Sequence, residues 1–177
     1  IDNSLRFDDG SSSYLARTFA SAGNRQTWTF SAWMKLGNSG INRTIFSGGT
    51  VESGVASDRR LALYMNTSDQ FIADVQGFGG YNASAAVYRD PGAWYHIVWR
   101  FNTTETANDD RCRLYVNGEQ IDFTADPDGL DFAQDTDYAI NLNQAHAIGA
   151  LGAAFTGYFM DGYFAEVYFI DGSSLAP

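Results

Sequence analysis

The segment from Trp94 to Gly118 constrains the fold of this chain most strongly. It begins with the run Trp-Tyr-His-Ile-Val-Trp-Arg-Phe, in which β-branched and aromatic residues predominate. A polar loop follows, and Leu114–Val116 then forms a second apolar run that ends at Asn117-Gly118. Asn-Gly is the strongest short-range signal for a two-residue hairpin, so the segment predicts an antiparallel meander that returns along Glu119–Phe123.

The first strand of this meander is apolar on both of its faces. One face carries Tyr95, Ile97, Trp99 and Phe101, and the other carries Trp94 and Val98. A strand that faces water on one side would alternate apolar and polar residues instead. We therefore expect this strand to lie in the middle of a sheet that is covered, at least in part, on both sides.

The rest of the chain repeats short strand patterns at turn intervals typical of a sandwich. Trp28–Lys35 alternates with period two, and further strands are predicted up to Ala85–Tyr88 and beyond, with loops at Gly77–Asn82 and Asp126–Asn143. The pattern predicts an all-β, two-sheet antiparallel β-sandwich of the jelly-roll type. The 177 residues fit one domain over 1–177, and the start at Ile1 suggests a piece of a longer, multi-module protein.

Charge and cysteine content exclude several classes of function. The net charge is −10, and Asp supplies 17 of the 21 acidic residues, which argues against nucleic-acid binding through a basic groove. No apolar run approaches the length of a membrane span. The lone Cys112 forms no intramolecular disulfide, and we expect it to be a small structural residue rather than a reactive thiol.

Several ordered motifs resemble those of a known family. They are Thr29–Met34, Trp94–Val98, Leu114–Gly118, Gly162–Val167 and the end at Leu175. In this order and spacing they are similar to the motifs of laminin-G-like, concanavalin A-like lectin jelly-roll domains. The resemblance covers nearly the whole chain and implies the two-sheet sandwich that the strand pattern also predicts.

A narrower resemblance points to a biological setting. Asn3–Phe7, Tyr14–Thr18, Ala22–Arg25, Val87–Pro91 and Phe169–Gly172 are similar to a variant common in tail-fibre and other virion proteins of bacteriophages. It implies a non-catalytic adhesion module on a virion that binds host surface polysaccharide or lipopolysaccharide. It also implies neighbouring virion modules as partners and permits a homotrimer. The alternative is a structural spacer or decoration domain that binds other virion proteins and no glycan.

Catalysis is the less favoured alternative. Glycoside hydrolysis needs two carboxylates that face one bond, whereas Glu52, Glu105, Glu119 and Glu166 are all solitary. The two histidines, His96 and His146, lie within predicted strands and are expected to be hydrogen-bonded scaffold residues. We therefore expect no enzyme activity.

The remaining candidate residues lie in loops and on one strand. Asp126, Asp128 and Asp131 are hard oxygen ligands that suit Ca²⁺, although a plain solvated loop explains the same residues.

For glycan binding, the aromatic and amide side chains of Phe78, Tyr81 and Asn82 lie near glycines. Trp33 is the candidate on a strand, with burial beneath a covering loop as the alternative.

Overall fold

Thirteen strands form two antiparallel sheets in this computed structural model, which describes residues 1–49, 60–75, 81–125, 131–151 and 157–177. The strands are β1 (Leu5–Phe7), β2 (Leu15–Thr18), β3 (Thr27–Leu36), β4 (Arg43–Gly48), β5 (Leu61–Met65), β6 (Phe71–Val75), β7 (Tyr81–Ser84), β8 (Trp94–Asn102), β9 (Cys112–Val116), β10 (Glu119–Ile121), β11 (Phe123–Ala125), β12 (Ala145–Ile148) and β13 (Gly162–Asp171). A 3₁₀ turn at Asn108–Asp110 precedes β9. Within these ranges no helix has the length and apolar character needed to cross a bilayer.

The first sheet has six strands in the order β1-β13-β3-β8-β9-β10. Strand β8 lies between β3 and β9, and Val98 on its outer face is only 4% exposed. The predicted hairpin is also present, because Asn117 and Gly118 both have positive φ angles, of 54° and 86°. The meander and the interior position of its first strand are therefore confirmed.

The second sheet has seven strands in the order β11-β7-β6-β5-β4-β12-β2. The predicted return strand Glu119–Phe123 is divided between the sheets. Glu119–Ile121 pairs with β9, and the chain then crosses at Asp122 so that β11 pairs with β7. The two sheets form the all-β sandwich that was predicted.

Aromatic rings fill the space between the sheets. Alternation along β3 turns Trp28 and Phe30 inward, and both are essentially inaccessible to solvent. Phe30 stacks on Phe46 of the opposite sheet with ring centroids 4.6 Å apart. Trp28 stacks on Phe101 at 4.8 Å and meets Trp99 edge-on at the same distance. The Phe30–Phe46 contact joins the two layers, and the Trp28 contacts consolidate the inner face of the six-stranded sheet.

One predicted strand is displaced along the sequence. We predicted a loop over Gly77–Asn82 and a strand at Ala85–Tyr88, whereas the strand observed there is β7. Its backbone pairs with both β6 and β11, which compensates for the low strand propensity of Asn82. The amide of Tyr88 instead donates to the carbonyl of Asp69 in a loop.

The connection Asp126–Asn143, predicted to have little order, contains core residues. In its described part, Phe132, Tyr138 and Ile140 are buried. Phe132 and Tyr138 both meet Phe101 edge-on, at 4.9 and 5.6 Å. The acidic residues around them obscured this apolar content in the sequence.

His146 is a buried scaffold residue, as expected. Its Nε2 accepts the backbone N–H of Asn141 at 2.9 Å, and its Nδ1 lies 2.9 Å from the carbonyl of Gln144. This arrangement assigns the proton to Nδ1 and keeps the ring neutral. Burial lowers the pKa of His146, against the opposing effect of the Gln144 carbonyl.

We predict that His146 makes stability depend on pH. The folded protein binds the proton of this group less readily than the unfolded chain does. Its contribution is therefore complete above about pH 6.5 and is lost as the pH falls from there through the lowered folded pKa. Urea unfolding between about pH 7.5 and 4.5 should show a shallower loss of stability in His146→Gln than in the native chain. Equal slopes would contradict the assignment, and His96→Gln serves as the control.

Candidate functional site

The outer face of the seven-stranded sheet carries an unusual set of polar and aromatic side chains. Along β5, Leu61, Leu63 and Met65 are buried in the core, so Ala62 and Tyr64 face outward. Asp74 faces outward from β6 and lies directly opposite Tyr81 in the β6–β7 register. Adjacent strands thereby bring Tyr64, Asp74 and Tyr81 to one surface.

Residues before β13 that bond to β4 position a third tyrosine at this face. Leu151 and Gly157 pair with each other, and the Ser47 hydroxyl donates to the carbonyl of Ala150 at 2.8 Å. The Thr44 amide donates to the carbonyl of Tyr158 at 2.7 Å. These bonds place the Tyr158 ring 5.4 Å from the Tyr64 ring, at an angle of 52°. We call Tyr64, Tyr81 and Tyr158 the tyrosine patch.

A charged pair lies beside the tyrosine patch. Nη2 of Arg60 is 3.4 Å from Oδ2 of Asp74, and both side chains are mostly buried. Burial raises the pKa of Tyr64 strongly, and the charge of Asp74 raises it further. The Tyr64 hydroxyl therefore remains protonated at physiological pH and can donate a hydrogen bond.

The outer two tyrosines are open to solvent. Tyr81 is 41% exposed and Tyr158 is 40% exposed. Tyr158 also has a φ angle of +50°, a conformation that costs a non-glycine residue about 1–3 kcal/mol. Such strain is typical of positions that are retained for function. The tyrosine patch thus combines accessible ring faces, a neutral hydroxyl donor and a fixed ion pair.

A separate cleft lies where the edges of the two sheets meet, between β10 and β11. Its volume is about 420 Å³, and it is lined by Asn82, Asn108, Arg113, Gln120, Asp122 and Asp131, among others. The Asn108 amide donates to Asp131 at 2.7 Å, and Arg113 is hydrogen-bonded to Asp110. We call this the edge cleft.

The structure distributes the predicted ligand residues over different surfaces. Tyr81 belongs to the tyrosine patch, whereas Asn82 points to the other side of β7 and lines the edge cleft beside Asp131. Trp33 lies on the outer face of the six-stranded sheet, half-buried, with its ring 4.9 Å from that of His96. Phe78 lies outside the described residues.

The predicted calcium ligands are only partly described. Asp126 and Asp128 lie outside the described residues, and Asp131 accepts the hydrogen bond from Asn108.

A different acidic group is present at the N-terminal edge of the sandwich. Carboxylate oxygens of Asp8, Asp9 and Asp161 lie within 4.8 Å of one another. Arg6 pairs with Asp161 at 2.7 Å, so part of this negative charge is already compensated.

Sequence reasoning missed four members of the site, namely Arg60, Tyr64, Asp74 and Tyr158. The sequence signal for Tyr64 and Asp74 is their place in the period-two alternation of their strands. Tyr64 is a large residue and Asp74 a charged residue at an outward position of an otherwise apolar strand. Tyr158 carried no such signal, since its position depends on a segment far away in sequence.

Comparison with protein families identifies the fold. A family model described as the concanavalin A-like lectin/glucanases superfamily matches residues 9–174. The chain belongs to this superfamily. Its laminin-G-like character, predicted from the ordered motifs, is thereby confirmed. No curated protein matches the chain in sequence.

Solved structures with a similar fold have low sequence identity to this chain. The carbohydrate-binding module CBM40 of the Ruminococcus gnavus IT-sialidase is 12% identical with a TM-score of 0.60, covering 93% of this chain and 94% of that one. The NanB sialidase of Streptococcus pneumoniae is 12% identical with a TM-score of 0.66, and the match covers 98% of this chain but 26% of NanB. A pentraxin from Limulus polyphemus is 15% identical with a TM-score of 0.58, covering 88% and 68%. At these identities the similarity establishes the fold alone.

Cys112 provides a test of the interior beside the edge cleft. It is 7% exposed, its Sγ accepts the Trp99 indole N–H at 3.2 Å, and burial raises its pKa to about 12. We predict that a thiol-specific disulfide reagent at about pH 8 reacts at least about a hundredfold more slowly with the native protein than with the unfolded chain. Similar rates in the two states would contradict the buried position.

Proposed function

We propose that this protein is a non-catalytic carbohydrate-binding module that holds a glycan against the tyrosine patch. The observation that carries the proposal is the convergence of Tyr64, Tyr81 and Tyr158 beside the Arg60–Asp74 pair. Tyrosine offers an apolar face for the carbon-rich side of a sugar ring and a hydroxyl for its polar edge. Asp74 accepts hydrogen bonds from sugar hydroxyls, and Arg60 holds it in place.

The comparisons support a carbohydrate ligand in general terms. The Ruminococcus gnavus CBM40 is described in complex with α2,3-sialyllactose and with α2,6-sialyllactose. A further similar structure, 16% identical with a TM-score of 0.56, is described as a putative carbohydrate-binding protein from Bacteroides ovatus. These ligands are those of the similar proteins. For this chain, the proposal of a carbohydrate ligand rests on the tyrosine patch.

The positions of the carboxylates support a binding rather than a hydrolytic role. Most glycoside hydrolases other than the sialidases use two carboxyl groups about 5–9.5 Å apart across one bond. The carboxylate that acts on Tyr64 is that of Asp74, and it is paired with Arg60. Glu105 pairs with Arg100 at 3.0 Å, and Glu166 accepts the Tyr168 hydroxyl at 2.6 Å on the other sheet.

The proposed setting is the surface of a bacteriophage virion, on the strength of the motifs shared with tail-fibre proteins. The glycan is then a host surface polysaccharide or lipopolysaccharide, and the neighbouring partners are other virion modules, with a homotrimer as the assembly to test. A domain that binds no glycan under any condition would favour the structural spacer instead.

The tyrosine patch is testable by substitution of its exposed members. We expect Tyr81→Ala and Tyr158→Ala each to weaken binding to host lipopolysaccharide or an array glycan by more than about tenfold. The reason is that aromatic side chains that become buried on binding carry much of an interface's affinity. The matched control is Tyr168→Ala, since Tyr168 is 55% exposed but lies on the six-stranded sheet. Loss of binding in the control alone would place the glycan elsewhere.

Calcium is the proposed cofactor, held by Asp126, Asp128 and Asp131. We expect calcium at 100 times its Kd to add about 2.7 kcal/mol to the free energy of unfolding. Thermal melting with calcium and with chelator measures this effect. The double substitution Asp126→Asn and Asp128→Asn should abolish it, whereas Asp8→Asn and Asp9→Asn should not. An identical melting temperature in calcium and chelator would remove calcium from the proposal.

A further inference from the structure

A second opening between the sheets lies on the side opposite the edge cleft, between β2 and β13. Two adjoining cavities of about 260 and 380 Å³ share Arg17, Phe19 and Phe169 as lining residues. We call them together the lateral groove. The lining residues named below all belong to the described part of the chain.

The larger part of the groove wall is hydrocarbon. The first cavity is lined by Leu15, Phe19, Phe46, Ile148, Val167 and Phe169, together with the neutral ring of His146. Leu15 and Val167 form an exposed apolar lip, with 49% and 37% of their surfaces open to solvent. A sugar in this cavity would leave most of its hydroxyls without partners, at a cost of about 1–3 kcal/mol for each buried group. The walls therefore favour an alkyl or acyl group.

Arg17 is the charged group shared by both cavities, and it is unlike the other described arginines. Those eight residues each contact a carboxylate or a backbone carbonyl: Arg6, Arg25, Arg43, Arg60, Arg89, Arg100, Arg111 and Arg113. Arg17 has no acidic partner among the described residues and lies over the Phe19 ring, 5.5 Å from its centroid. An exposed guanidinium without a carboxylate partner is notable in a chain with a net charge of −10.

Among the described residues, no other polar group of the groove forms a salt bridge with Arg17. His146 is neutral in the hydrogen-bond arrangement described above. Asp171 lines only the second cavity, and its Oδ1 accepts the Asn24 amide at 2.8 Å and the Asn141 side chain at 2.7 Å. A negative group on a ligand therefore finds its best partner at Arg17.

A strained bulge shapes the wall that faces Arg17. The β13–β3 register shifts between Ala165 and Tyr168, which inserts one extra residue into β13. Glu166 in this bulge has a φ angle of +48°, and the next residue, Val167, lines the groove. Bulges of this kind re-aim side chains, and here the bulge sets the direction of Val167.

We propose that the lateral groove binds an alkyl carboxylate, with the chain against Phe19, Phe46 and Phe169 and the carboxylate on Arg17. This site is separate from the tyrosine patch and does not depend on the glycan-binding proposal. A neutral alkane would leave the guanidinium unpartnered, and an alkylammonium would be repelled by it. A guanidinium and a carboxylate form a charge-assisted, planar pair.

The experiment uses octanoate as the probe and the two histidines as reporters. Titration is followed by the imidazole signals in NMR, since His146 lines the groove whereas His96 lies on the outer face of the other sheet. We expect octanoate to shift His146 and leave His96 unchanged. 1-Octanol and octylammonium should bind the native protein at least about tenfold more weakly than octanoate does. Octanoate should also bind the Arg17→Gln variant at least about tenfold more weakly than it binds the native protein.

Two further variants separate a specific site from general effects. Arg89→Gln removes another exposed arginine, distant from the groove, and should leave octanoate binding unchanged. Val167→Glu places a negative charge on the lip and should reverse the preference toward octylammonium. The proposal is overturned if octanoate leaves His146 unshifted, if octanol binds as tightly as octanoate, or if Arg17→Gln has no effect on either ligand.

Discussion

The aromatic contact between the sheets is the interaction on which the rest of this structure depends. Phe30 from the middle of one sheet stacks on Phe46 from the other, and Trp28 packs with Phe101 and Phe169 beside it. Because twisted sheets pack closely only near their centre, they separate toward their lateral edges. The edge cleft and the lateral groove occupy these two openings. The edge cleft is the more polar of the two, and the lateral groove is the more apolar. This difference comes from the residues on the strands at the two edges of the sandwich.

The same inward packing determines which residues are left for binding. With a period of two, every side chain that joins the core directs its neighbours to the outer face. Leu63 and Ala73 are committed to the core, so Tyr64 and Asp74 must face outward. Register then brings residues of adjacent strands within about 5.5 Å, which is how Asp74 and Tyr81 come to lie side by side. The outward direction of the residues on β5, β6 and β7 thus follows from core formation, and the tyrosines at these positions make the surface suitable for binding.

Much of the fold was predictable because it rests on local patterns. Trp94–Gly118 and Trp28–Lys35 carry strong alternation and turn signals, and both form strands as predicted. The site was less accessible for a physical reason. Tyr81 was indicated by the glycines before it, but Tyr64 and Tyr158 meet only because the Tyr158 backbone binds that of Thr44, which is far away in sequence. Such long-range placement is set by strand order and register, which single-sequence patterns do not encode.

Backbone strain occurs at both candidate sites and also in ordinary turns, such as the one at Ser12. Asp69, Asn117 and Asn141 have positive φ angles, as Asp and Asn often do in turns. Tyr158 and Glu166 share this conformation although their side chains have no such local advantage. Tyr158 belongs to the tyrosine patch, and Glu166 precedes the groove residue Val167. The two strained residues therefore lie at different places in the sandwich, Tyr158 in the tyrosine patch and Glu166 in the bulge that sets the position of Val167 beside the lateral groove.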